Sequence, residues 1–193
     1  MATYNNTKKT YYTIARGKFK RYEGDGQIAE FTGIDGILQD IVERKRAING
    51  EEKVFTDFHF VDGTDNFVVS CEKFGANSNT IVRCLANIKD FSHKILLEVW
   101  QTTKNDKTYT NISVKQDGQR IQWCDIPPVE TFQIETGETV KSTKKREAFL
   151  AQIIADVKAR LAGSDTQVPA EMDPEPQEDG KNEDIPPYIP REY

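Results

Sequence analysis

The chain has 193 residues, 37% of them hydrophobic and 30% charged, with a net charge of −5 at neutral pH. That length gives one domain of ordinary size plus extensions and excludes two comfortable domains, while the low apolar content implies that some segment joins no core. No stretch approaches the roughly 18 consecutive apolar residues of a membrane span, and the start, with Asn5, Asn6, Lys8 and Lys9, lacks the apolar run of a signal peptide, so a cytoplasmic location is expected.

Tyr11, Tyr12, Ile14 and Phe19 lie among Thr, Arg and Lys, which predicts one extended strand over Thr10–Tyr22, closed by Gly24-Asp25-Gly26. A second strand is predicted from Phe31 to Ile48, with Gly33 and Gly36 allowing the bend that a long strand needs to serve both sides of a small barrel. Asn49-Gly50 is a strong type I′ hairpin signal, because both central residues of that turn need positive φ. The next strand is then Lys53–Val61, and Asp62-Gly63-Thr64-Asp65 turns the chain into another from Phe67 to Phe74.

From Asn77 to Ile88 the period changes. Ile81, Val82, Leu85 and Ile88 fall on one helical face, with Ser78 or Asn79 as the N-cap. Alternation returns in Lys94–Thr102 and Thr108–Gln116 around the polar loop Lys104-Asn105-Asp106-Lys107, and Asp117-Gly118 leads into a short strand over Arg120–Trp123. This order of three strands, a helix and two strands, with an extra strand in front, is that of the OB-fold, a five-stranded Greek-key barrel.

A further strand is allowed at Thr131–Ile134. Beyond it, Phe149, Leu150, Ile153, Ile154, Val157 and Leu161 give Thr143–Leu161 an amphipathic helix ended by Gly163. Residues 164–193 hold nine acidic residues against Lys181 and Arg191, a net −7, so residues 1–163 carry +2. With prolines throughout and little apolar material, this segment reads as a disordered acidic tail. The expected division is an OB domain over residues 1–135, a helix over 136–163 that packs on the domain or mediates association, and a partner-binding tail over 164–193.

Enzymatic chemistry finds no support. There is no Gly-rich phosphate loop, His-Glu-x-x-His or nucleophile elbow, His59 and His93 have ordinary settings, and neither a cofactor nor a metal is expected. Asp62 with Asp65, and Asp35 with Asp40, are better explained as turn chemistry than as metal ligands. Cys71, Cys84 and Cys124 form no Cys-x-x-Cys pair and read as reduced thiols, the first two in the core.

Binding to a single strand needs cations for phosphates and aromatic faces for bases. The cations occur in three groups: Lys18, Lys20 and Arg21; Arg44, Lys45 and Arg46; and Lys104 with Lys107. Ile95, Leu97 and Val99 share one face, so Trp100 lies on the other with Tyr109 and Asn111 of the partner strand. Either this is an open stacking surface, or the C-terminal helix or the N-terminal strand covers it. Phe58 and Phe60 read as core, Phe55 as a base-stacking candidate, and Trp123 as undecided.

The tail segment Asn182-Glu183-Asp184-Ile185-Pro186-Pro187-Tyr188 resembles the C-terminal tip of bacterial single-stranded DNA-binding proteins, whose acidic tails end in Asp-Asp-Asp-Ile-Pro-Phe. The strand Tyr109–Val114 and its surroundings also look like those of single-stranded DNA-binding proteins of bacteriophages. The resemblance implies sequence-tolerant binding and protection of single-stranded DNA in replication, recombination and repair. It also implies recruitment of partner proteins through Asp184, Ile185, Pro186, Pro187 and Tyr188. Here Pro187 precedes the aromatic residue, and a second Ile-Pro pair leads to Tyr193, which takes over the terminal contact in this reading. RNA in place of DNA stays open, as does the oligomeric state. The competing reading is a protein-interaction adaptor with a β-domain and an acidic tail that binds no nucleic acid.

Overall fold

The computed structural model describes residues 9–23, 27–133 and 138–163. The expected first strand is a hairpin, β1 (Thr10–Ala15) and β2 (Lys18–Tyr22). Arg16 and Gly17 turn between them with φ of 53° and 67°, the positive pair that a type I′ turn requires. The alternating aromatics continue across this turn, so Gly17 is its only strong marker in the sequence. β3 (Ile28–Phe31) then passes through Thr32 alone into the long β4 (Gly33–Ile48).

Asn49-Gly50 turns as expected, with φ of 52° and 82°, into β5 (Glu51–Asp62), and β6 (Asp65–Glu72) follows. Helix α1 spans Ala76–Leu85 and is N-capped by Gly75 rather than by Ser78 or Asn79. Ser78 is buried inside the helix, and the Asn79 amide donates to the Phe74 carbonyl instead. β7 (Ile95–Lys104) and β8 (Lys107–Gln116) form a hairpin over Asn105-Asp106. The strand expected over Arg120–Trp123 shrinks to β9 (Gln119–Arg120), after which the chain leaves the sheet. Among the described residues β10 (Glu130–Gln133) pairs only with β11 (Thr139–Ser142), and α2 (Lys144–Leu161) ends at Gly163, which has the positive φ of a C′ glycine, 76°.

The protein is mainly β, and nine of the described strands form one sheet in the order β3-β2-β1-β6-β5-β4-β7-β8-β9. The bend in β4 falls where its glycines predict it. Gly33–Gly36 pair with β7, Ile37–Ile48 pair with β5, and the register shifts between Leu38 and Asp40. A side chain at Gly36 would meet the Phe67 ring at 2.9 Å, so this position accepts only glycine while Phe67 stays in place. The expected barrel is not formed, because the sheet does not close. β1 lies parallel along β6, Thr10–Thr13 against Phe67–Ser70, and takes the edge that a closing β8 would need.

The core joins Phe19, Leu38, Ile41, Phe58, Phe60, Ile95 and Leu97 of the sheet to Ile81, Leu85 and Ile88 of α1 and its following turn. Helix α2 packs on α1 and β4. Leu150, Ile153, Ile154 and Val157 of α2 are buried, each worth about 1.5–3 kcal/mol if its burial is complete. Phe149, expected on that face, is instead exposed at its margin. No helix among the described residues is long and apolar enough to cross a membrane.

Candidate nucleic-acid interface

In the β7–β8 hairpin Trp100 pairs with Asn111, Thr102 with Tyr109 and Lys104 with Lys107, so these residues share the face opposite Val99 and Leu97. Trp100 and Tyr109 are both exposed, and α2 packs elsewhere, so the helix does not cover this surface. The N-terminal hairpin meets β7–β8 from the other face. The Gly17 amide donates to Thr110 Oγ1 at 3.2 Å, and Gly17 lies so close to the Trp100–Gln101 backbone that an added Cβ would fall 2.7 Å from the Gln101 nitrogen.

Trp123 is exposed too and lines the same depression of about 350 Å³ as Trp100, Lys104, Tyr109 and Arg120. The Arg83 guanidinium sits 5.2 Å over its ring and donates to the Cys124 carbonyl at 2.7 Å, which fixes the loop that carries the ring. Sequence reasoning does not single out Arg120, which lines this depression, or Arg83, which holds Trp123. The usable signal is Arg120 three residues before an undecided tryptophan.

A second group forms on β4, β5, β6 and β1. The registers Arg44–Phe55, Asp57–Ser70 and Tyr11–Val68 place these residues on one face. Arg44 Nη2 lies 3.0 Å from an Asp57 carboxylate oxygen and donates to the Tyr11 hydroxyl at 2.9 Å. Arg46 Nη2 lies 3.3 Å from the same carboxylate, with its guanidinium 5.0 Å over the Phe55 ring. The Tyr11 hydroxyl is the main cause that holds the Arg44 guanidinium above its ordinary pKa. The sequence marks Tyr11 and Asp57 only as strand residues, because nothing in local spacing brings β1 beside β6.

A further depression of about 330 Å³ continues from Phe55 past Thr13, Ser70 and Glu72 to Ala76 and Asn77, and these last two residues also line the Trp100 depression. The two groups therefore lie along one track with the start of α1 between them. That start has no side-chain cap and no acidic residue in its first turn, and Glu72 lines the depression just before it.

The structure thus gathers Trp100, Lys104 and Tyr109 at one end of the track and Phe55 at the other, with Arg46 over the Phe55 ring and Arg44 joined to it through the shared Asp57 carboxylate. Lys45 does not join them, because successive strand residues face opposite sides; it pairs instead with Glu52 at 2.8 Å. Lys20 is tied to Glu30 at 2.9 Å and Arg21 to Glu23 at 2.5 Å, and with Lys18 they stand on β2, which lines neither depression. Lys107 flanks the β7–β8 turn opposite Lys104. The tail residues Asp184, Ile185, Pro186, Pro187, Tyr188 and Tyr193 lie outside the described residues.

Elsewhere Lys94 bridges Asp35 and Asp62 at 3.3 and 2.6 Å, an ion-pair arrangement, and no group of three or more His, Cys, Asp or Glu among the described residues is placed to hold a metal. Burial pushes the Cys71 thiol up to about 12 and the Cys84 thiol up to about 11, so both are held as inert thiols. Burial also pushes the His59 imidazole down, whereas Asp117, 2.9 Å away, pushes that of the exposed His93 up. No protein-family model, curated protein or solved structure matches the chain.

Proposed function

We propose that the chain is a non-enzymatic, sequence-tolerant single-stranded DNA-binding protein of the bacteriophage and bacterial type, acting in the bacterial cytoplasm during replication, recombination and repair. The observation that carries this reading is the track on which Trp100, Tyr109 and Trp123 stand exposed beside Lys104 and Arg120, continuous through the start of α1 with Phe55, over whose ring the Arg46 guanidinium sits. Exposed rings accept unpaired bases at about 1–3 kcal/mol per stacked base, and flanking cations gain affinity from counterions displaced from phosphates. Neither contact reads a base edge, so the binding tolerates sequence.

The topology supports a variant of the OB-fold. The adjacency β6-β5-β4-β7-β8, with α1 between β6 and β7, is the OB arrangement opened at the one pair, β6 with β8, that would close it. The first binding loop of that fold corresponds here to Asn49-Gly50, next to Arg46, and its second to Asn105-Asp106, between Lys104 and Lys107. The acidic tail around Asp184, Ile185, Pro186, Pro187 and Tyr188, with Tyr193, recruits replication or recombination proteins in this reading.

The test is a titration of the full chain with oligothymidine and with a duplex of the same length, read by intrinsic tryptophan fluorescence. Quenching by oligothymidine, weakening steeply as salt rises, with little response to the duplex, is the expected result. An unchanged signal together with no shift of a labelled oligothymidine overturns the reading and leaves the adaptor role.

A further inference from the structure

Among the described residues Asp57 is the one acidic side chain that is fully buried, in the middle of β5 beneath Arg44 and Arg46. A carboxylate removed from water is costly unless it is paired and hydrogen-bonded, and even then well-packed apolar residues in its place often give equal or greater stability. Asp57 is satisfied from three sides: the Ser70 hydroxyl donates at 2.5 Å, and Arg44 and Arg46 approach at 3.0 and 3.3 Å. Stability alone gives little reason for such a group on β5.

We propose that Asp57 is a positioning residue that holds Arg44 and Arg46 as a pair of phosphate-binding forks at one end of the track. This rests on the single-strand reading above. The Arg44 and Arg46 side chains stay 41% and 29% exposed, so both guanidinia are anchored at the surface rather than withdrawn from it. Their contacts with Asp57 run through Nη2, and a guanidinium carries five N–H donors, so donors remain for phosphate oxygens. Tyr11 and Phe55 hold the guanidinium faces, with Arg44 5.2 Å from the Tyr11 centroid, which limits the rotamers of two otherwise flexible chains. A fork fixed before the strand arrives has less freedom to lose on binding.

Charge and positioning predict opposite signs for one substitution. Asp57→Asn removes a negative charge beside a polyanion site, so electrostatics alone tightens binding. Loss of the anchor frees both forks and loosens it. With the full chain and labelled oligothymidine, read by fluorescence anisotropy, Asp57→Asn is expected to bind about tenfold more weakly. The slope of log affinity against log salt should become shallower by about 0.7 for each phosphate that is no longer engaged, a change that a purely structural role does not produce. Unchanged or tighter binding by a folded Asp57→Asn overturns the proposal.

The double variant Arg44→Lys with Arg46→Lys keeps both charges and the buried acid but lacks the planar fork, and decides the matter if Asp57→Asn does not fold. It too is expected to bind about tenfold more weakly; wild-type affinity overturns the proposal. If Arg44→Ala weakens binding while Asp57→Asn does not, the positioning role falls and the interface stands. If the wild-type chain does not bind oligothymidine, both fall together.

Discussion

Trp100→Ala separates a stacking platform from an ordinary surface ring. Trp100 is 39% exposed, so about three fifths of the residue is covered. Full truncation of a buried Trp or Phe costs about 3–5 kcal/mol, and three fifths of that is about 2–3 kcal/mol, within the ~5–15 kcal/mol that stabilises a typical domain. The variant should therefore fold. If one base stacks on the ring, affinity falls by about 1–3 kcal/mol, or roughly 5- to 150-fold. Phe149→Ala is the matched control, because that ring is also 39% exposed but stands on α2 and lines neither depression of the track. The assay is anisotropy of a labelled oligothymidine, beside urea melts of both variants, since intrinsic fluorescence changes when the tryptophan is removed. Equal losses of affinity in the two variants, or none in Trp100→Ala, would refute the stacking argument.

Lys104→Ala should weaken oligothymidine binding and flatten its salt dependence, whereas Lys45→Ala, paired with Glu52 on the other face, should change neither; salt titrations of both variants check this. Toward a maleimide under native conditions Cys124 should react first, with Cys71 and Cys84 protected until urea unfolds the chain, as mass spectrometry of labelled peptides would show. Burial lowers the folded His59 pKa, so the unfolded chain takes up the proton first, and the contribution present above about pH 6.5 is lost as pH falls below it. His93 has the opposite sign, its contribution present below about pH 6.5 and lost as pH rises through its raised folded value. Stability measured against pH in a His93→Gln background should thus fall on acidification, and less so when His59→Gln is added.

What could be read in advance was whatever local chemistry decides. Asn49-Gly50, Asn105-Asp106 and Asp117-Gly118 turn the chain with the positive φ values that type I′ turns demand, and the apolar periods of α1 and α2 choose the buried sides of both helices. The opposition of Trp100 to Leu97 and Val99 follows from strand alternation alone. Some failures were local, namely the Arg16-Gly17 turn inside the expected first strand, the cap of α1 and the extent of β9, and others needed pairing between distant segments. Reading Arg44, Lys45 and Arg46 as one basic group ignored strand alternation, which turns Lys45 away. Tyr11 meets Arg44 only because β1 runs parallel to β6, and no spacing along the chain announces that neighbour.

The same replacement that leaves the sheet open also accounts for where the track lies. β1 occupies the β6 edge, and β8 pairs with β7 along its length but with β9 only at Lys115 and Gln116. Between β6 and β8 the described chain therefore offers no shared ladder, and α1, which leaves the end of β6 and packs against β8, spans the interval. The depression beside Phe55 is lined by the end of β6 and the start of α1; the one beside Trp100 is lined by the same start of α1 and the middle of β8. A ladder between β6 and β8 would draw those edges to about 4.8 Å in place of the interval that α1 spans. The unpaired interval is thus where the two depressions meet at the start of α1, and the N-terminal strand satisfies the β6 edge without closing the sheet.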